Sequence, residues 1–182
     1  TIAIEYAVEA IKAGAKCVIL TGDAGHGKTH MCRRLIGNGL LGHSAEQARK
    51  YLIESCDASV AIPPADGVSS VALRIHKDLS EIQPPSRAAE ILESIRGEEN
   101  QALVVCANEG RLRAIINSDG RGEVCTTIGD LIQESFLYGK TADKSGSIHI
   151  INLNYQSVAA HTNGLNLSLL RRVLASWIGD GR

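Results

Sequence analysis

The chain has 182 residues, 44% of them hydrophobic, which suits one domain with a sizeable core. Lys and Arg number 19 against 20 Asp and Glu, a net charge of −1, so no global field draws the protein to nucleic acid or to an anionic membrane. Aromatic residues are 3%, too few for a platform on which single strands stack.

Residues 2–13 place Ile4, Val8 and Ile11 on one helical face, with Gly14 as a stop. Cys17-Val18-Ile19-Leu20 is a buried strand, too short for a helix. Gly22 to Thr29 form a loop. The next helix carries Met31, Cys32, Leu35 and Ile36 and ends at Gly37 and Gly39. Ser44 with Gln47 is a capping-box pattern that opens a helix through about Ser55. Ala58 to Ile62 is a short strand closed by Pro63-Pro64-Ala65-Asp66-Gly67. Ser70 to His76 alternates, with Val71, Leu73 and Ile75 on one side, as a strand does.

Pro84-Pro85 breaks the chain, and Ser86 can cap a helix bearing Ala88, Ile91, Leu92 and Ile95. Gln101 to Ala107 (QALVVCA) is the most continuous apolar strand. Helices are expected over about 111–117 and 128–138, a polar loop over 139–147 and a last strand over 148–153. Asn166 caps a final helix with Leu167, Leu170, Leu174 and Trp177. Strands alternate with helices throughout. That pattern predicts an α/β fold: three layers, with a mostly parallel five-stranded sheet and helices on both faces, in a single domain over 1–182. The chain lacks an initiator Met and opens within a helical pattern, as an excerpt of a longer protein would.

The apolar runs are too short for a transmembrane helix, and no signal peptide is visible, so no membrane partner is expected. Five cysteines, Cys17, Cys32, Cys56, Cys106 and Cys125, contain no CxxC pair. A disulfide framework or zinc site is therefore not expected, and a reducing, cytoplasmic setting is.

The strongest motif is Gly22-Asp23-Ala24-Gly25-His26-Gly27-Lys28-Thr29, which matches GxxxxGK followed by Ser or Thr, the Walker A pattern of a P-loop. A buried strand precedes it and an amphipathic helix, opening with His30, follows it. Glycines at 22, 25 and 27 allow backbone conformations and close approach that a Cβ would block. Loop N–H groups and the helix N-terminus then attract anionic oxygens. Lys28 brings a compact positive charge to the β and γ phosphates of a nucleotide. Thr29 offers a hydroxyl to Mg2+, which prefers hard oxygen ligands. His26 and Asp23 occupy the variable positions of the motif.

Such a loop needs a carboxylate on the metal side and a polar group that orients water, both at carboxyl ends of strands beside the phosphate-loop strand. Two layouts satisfy this. In the first, Asp78 is the metal-side acid, with Glu81 three residues on, and Asn108 polarises the water. In the second, Asn108-Glu109 takes the metal-side place, and Asn152 or Asn154 is the sensor on the last strand. Carboxylate chemistry favours the first, because Asn is a poorer ligand near Mg2+ than Asp. Hydrophobicity favours the second, because QALVVCA is continuous whereas LRIHKD is interrupted by Arg74 and His76. Either layout brings Asn108 and Glu109 near the nucleotide. Asp78 also suits a strand-end turn, and Asn108-Glu109-Gly110 suits a helix N-terminus.

CVILTGDAGHGKTH resembles the AAA-type branch of P-loop ATPases. In that family an Asp-Glu pair ends the third strand and an Asn or Thr ends the fourth; ALVVCANEGRL looks like such a fourth-strand ending, with Asn108 in place. The chain departs from the pattern at Asp78, which is followed by Leu79 rather than Glu. TGDAGHGKTH, LRIHKDLSEI and ANEGRLRAI together look like ATPases of bacterial anti-phage islands, closest to the DptF-type component of phosphorothioation-dependent DNA restriction, over residues 15–155. The resemblance implies ATP binding and hydrolysis with Mg2+, with Lys28, Asn108, Glu109 and Glu81 in the chemistry. It also implies self-assembly or protein partners in a multi-component complex, with any DNA contact made otherwise than through net charge. The helical lid with a sensing Arg that is usual in the family is not apparent. Arg111 and Arg113 suit a solvated helix face. A small-molecule kinase shares the loop, but residues 118–147 offer only Arg121, Lys140 and Lys144 for its lid. A nucleotide-binding switch with little hydrolysis suits Leu79.

Overall fold

The computed structural model describes residues 2–155 apart from 55–58, 69, 98–99 and 120. The helix expected over 166–177, the Ser55 end of the helix opened by Ser44, the Ala58 start of the next strand and Cys56 lie outside the described residues.

Helix α1 (Ile2–Lys12) leads into β1 (Cys17–Thr21), all five residues of which are buried. α2 (Lys28–Arg34) runs on as a wider π turn over Leu35–Gly39, broken at Gly37, whose ψ is −141°. A Cβ on Gly39 would lie 2.5 Å from the Arg34 carbonyl oxygen, so this turn closes only on glycine. α3 (Ala45–Arg49) has the expected capping box: Gln47 N–H donates to Ser44 Oγ at 3.1 Å and Ser44 N–H to Gln47 Oε1 at 2.9 Å.

β2 (Ser59–Ile62), β3 (Ala72–His76), β4 (Gln101–Ala107) and β5 (Ile148–Asn152) join β1 in one five-stranded sheet of order β2-β3-β4-β1-β5. β3, β4, β1 and β5 are mutually parallel, and β2 pairs with β3 antiparallel. The exception follows from chain length: residues 63–71 suffice to reverse direction, whereas a parallel partner needs a longer crossover.

Two cores sandwich the sheet. Val18, Leu20, Leu73, Ile75, Val104 and Ile151 face α1, α2 and α3. Ile19, Leu103, Val105, Ile148 and Ile150 face α4 (Pro85–Glu93), α5 (Glu109–Ile116) and α6 (Glu123–Tyr138). β3 is more buried than its sequence suggests. His76 is 6% exposed, and burial, then the charge of Arg74, pushes its pKa down to about 4, so the ring is held neutral in the core.

Three helices start earlier than local signals indicate. α4 begins at Pro85 with Pro84 as its N-cap, so Ser86 lies inside the helix and caps nothing; proline's fixed φ suits a first turn. α5 begins at Glu109 because Asn108 Oδ1 accepts the Arg111 N–H at 2.7 Å. α6 begins at Glu123, not near Ile128, because a distant side chain caps it. Glu93, the last residue of α4, accepts the backbone N–H groups of Gly122 (2.9 Å), Val124 (3.2 Å) and Cys125 (2.8 Å).

Burial acts to raise the Glu93 pKa. The N–H groups of Cys125 and Val124, the Cys125 side chain and the Gly122 N–H outweigh it, leaving the carboxyl below its ordinary 4.5. Glu93→Ala should therefore cost about 1–3 kcal/mol in urea unfolding, with Glu93→Gln recovering part of the loss. Because the folded pKa is the lower one, the advantage of Glu93 over Gln is fully present above the unfolded value and is lost as pH falls through the folded value. Urea melts of both proteins from neutral to acid pH check this; a gap between them that persists or widens in acid would contradict the capping role.

Candidate functional site

Because β1, β3, β4 and β5 are parallel, their carboxyl ends share one edge of the sheet, where open α/β sheets bind ligands. Register sets the neighbours: Thr21 stands level with Ala107 of β4 and with Asn152 of β5. The chain turns at Gly22, whose φ is 143°. A Cβ there would meet Asn154 Oδ1 at 3.0 Å and Leu153 Cβ at 3.2 Å, so conformation and close packing both require glycine.

Gly25 and Gly27 each have φ 85°, and Gly27 stands left-handed at the N-cap of α2. Asp23, Ala24, Gly25 and His26 are exposed, as are Thr29 and His30 in the first turn of α2. Lys28 is half-buried. Its Nζ folds back to donate to the carbonyls of Gly22 (2.6 Å) and Asp23 (2.9 Å). A glycine-rich loop, the start of a helix and a lysine charge thus meet above a fully buried strand, an arrangement that favours an anion.

Asp78 follows β3, and β4 lies between β3 and β1. The expectation that Asp78 ends a strand beside the glycine-loop strand is therefore corrected. Its carboxylate accepts the Ser80 N–H at 2.7 Å and caps the short 3-10 turn Leu79–Glu81. Leu79 is fully buried and Glu81 is exposed. Asn108 Nδ2 donates to Ser80 Oγ at 3.2 Å, so Asp78 and Asn108 are joined through Ser80. Arg111 is not the solvated side chain expected of it: it is half-buried and donates to the Ile82 carbonyl at 2.6 Å.

Glu109 faces the other way along the edge. It pairs with Arg113 at 2.8 Å, and Asn152 Nδ2 lies 3.4 Å from its Oε2. Asn152 Oδ1 accepts the Asn154 N–H at 3.0 Å, and Asn154 Oδ1 accepts the Asp23 N–H at 2.9 Å. A chain of contacts therefore joins Arg113 and Glu109 on α5 to the glycine loop through β5. The strands flanking β1 carry the groups of the second layout, while the Asp78–Ser80–Asn108 link keeps the two groups of the first together. Thr21 was outside the sequence reading, which ended the strand at Leu20. A lone polar residue closing an apolar run was the available signal.

Below the loop, Cys32 of α2 and Cys106 of β4 bring their sulfurs to 3.5 Å. Their hydrogen bond, then burial, holds the Cys32 thiol well above its ordinary pKa, so the pair packs as small hydrophobes. Cys17, Cys32, Cys106 and Cys125 are all free and buried.

Asn154→Ala should release the Asp23 amide. A hydrogen bond worth about 1 kcal/mol corresponds to roughly fivefold less protection from hydrogen exchange at that amide; unchanged protection would show that Asn154 does not restrain the loop. No protein-family model matches this chain, and a search of curated proteins likewise gives no match.

Proposed function

We propose that this chain is a P-loop domain that binds and hydrolyses ATP and so powers or licenses a larger assembly. The observation that supports it most is the complete GxxxxGKT sequence, folded as a glycine loop at the carboxyl end of a buried parallel strand and leading straight into a helix. The residues present fit the ligands. Gly25 and Gly27 leave open space where a side chain would intrude, and Lys28 bonds to loop carbonyls that a phosphate can replace as its partner. Among the described residues no cluster of three His, Cys, Asp or Glu could cage a metal. Mg2+ needs none, since it is usually held by one or two protein ligands, waters and phosphates.

In this reading Thr29 and Asp78 stand on the metal side, and bound Mg2+ supplies charge neutralisation at the phosphates. Lys28 stabilises the charge that develops on the transferred group. Asn108 orients a water, and Glu109 or Glu81 takes up a proton. The resemblance of the 22–30, 73–82 and 107–115 segments to DptF-type ATPases supports placing the assembly in DNA restriction or anti-phage defence, with ATP state passed to partner subunits as loop movement.

A second reading, a nucleotide switch with little hydrolysis, draws on Leu79: the position after Asp78 holds a fully buried apolar side chain. Both readings predict slow turnover by the isolated chain, and they part on whether assembly accelerates it.

Lys28→Ala should abolish most ATP affinity in calorimetry; equal affinity in both proteins would remove the loop from nucleotide binding. Asp78→Asn should weaken Mg2+-dependent phosphate release while sparing ATP affinity. Unimpaired release in Asp78→Asn, with loss in Glu109→Gln, would assign the chemistry to the second layout. Turnover per site should rise with protein concentration or on adding partner proteins. A rate of about 10 s⁻¹, typical of a complete enzyme, that does not depend on either would place every catalytic group within this chain.

A further inference from the structure

Thr21 closes β1 immediately before the glycine loop. It is 3% exposed, and its hydroxyl has no hydrogen-bond partner. A buried hydroxyl left unpaired costs about 1–3 kcal/mol, so its surroundings require explanation. It lines a small cavity between α5, α6 and the end of β5, bounded on its polar side by Glu109, Ser135 and Asn152 and on its apolar side by Leu112 and Ile150. The free volume is about 20 Å³. A buried water needs roughly 10–15 Å³ and two to four polar partners. The cavity opens to solvent beside the exposed Phe136, and its inner space suffices for one ordered water.

The neighbouring contact is loose in a way that suits an inserted water. Asn152 Nδ2 is 3.4 Å from Glu109 Oε2, beyond the usual length for an amide donor to a carboxylate. The Asn152 amide is fixed from its other end, because Oδ1 accepts the Asn154 N–H at 3.0 Å. Glu109 is held likewise by Arg113 Nε (3.1 Å) and Nη2 (2.8 Å) on Oε1, leaving Oε2 for the cavity.

We propose that Thr21, Asn152 and Glu109 form a one-water site at the foot of the glycine loop, in which Asn152 is the positioning residue that aims Glu109 at the water. The water accepts from Asn152 Nδ2, donates to Glu109 Oε2 and satisfies Thr21 Oγ1. It ties the carboxylate of α5 to the base of the loop through a group able to carry a proton. Occupancy of the site stands on the cavity alone. Its part in catalysis rests on the proposed ATP hydrolysis, where it makes Glu109, rather than Glu81, the group that handles the proton.

The test is a crystal structure of the whole chain, without nucleotide, at a resolution that shows ordered water, together with phosphate release by Thr21→Val, Thr21→Ser and Asn152→Leu. A water within about 3.2 Å of Thr21 Oγ1 is expected in the wild type and in Thr21→Ser, and none in Thr21→Val. A dry cavity in the wild type overturns the proposal whether or not ATP binds. Thr21→Val should lower kcat by about tenfold or more with ATP affinity changed less than about twofold, Asn152→Leu should lower kcat likewise, and Thr21→Ser should restore the rate. Wild-type kcat in both Thr21→Val and Asn152→Leu, or equal losses in Thr21→Val and Thr21→Ser, overturns the catalytic part. Should Thr21→Val not fold, Asn152→Leu and the wild-type water decide. Should the wild type bind no ATP, the nucleotide reading fails while the density still decides the water site.

Discussion

Everything at the site depends on β1 being paired on both sides. Its five residues are buried on both faces, and its hydrogen-bonding edges are filled by β4 and β5 in a register that puts Thr21, Ala107 and Asn152 level. Three chain segments leave the sheet at one height, so Gly22, Asn108 and Leu153 must turn in the same small volume. The glycine loop is fixed at its root by that crowding and open at its tip, where a Cβ on Gly25 or Gly27 would meet nothing within 4 Å. A root fixed by packing, with open space at the tip, suits a loop whose backbone N–H groups are to surround an anion.

Local signals carried far along this chain. Continuous apolar residues marked β1 and β4, the Ser44–Gln47 pair marked the start of α3, and alternation set Leu73 and Ile75 inward. What local signals missed is what comes from far along the chain. Glu93 caps α6 across 29 or more positions of sequence, and no window around Ile128 contains it. His76 marked β3 as half-polar because an isolated histidine gives no hint that its ring will be kept neutral inside the core. The arginine at position 111 looked solvated for the same reason: its partner, the Ile82 carbonyl, is remote in sequence.

The candidate site divides similarly. The loop was legible residue by residue, since every position of the motif answers to a local backbone demand. The order of strands was not, and with it the place of Asp78, because sequence shows which strands exist but not which lie side by side. β4 inserts between β3 and β1, so the carboxylate stands one strand farther from the loop than simple succession suggests, and it is joined to Asn108 through Ser80. Glu109 and Asn152 meet only because β5, the last described strand, returns to the strand nearest the beginning of the chain.

That return has a consequence for how the protein is made. Synthesis delivers β1 well before its two partners, whose pairing with Cys17 begins at Leu103 and Ile148. Until β4 is made, β1 has no partner and Ile19 no cover from α4 to α6; until β5 is made, one hydrogen-bonding edge of β1 stays open. Contacts so distant in sequence slow folding, and an apolar strand waiting for its neighbours is a site for wrong association. The segment on which the loop is mounted thus emerges before both of its partners and is fully secured only when β5 has joined it.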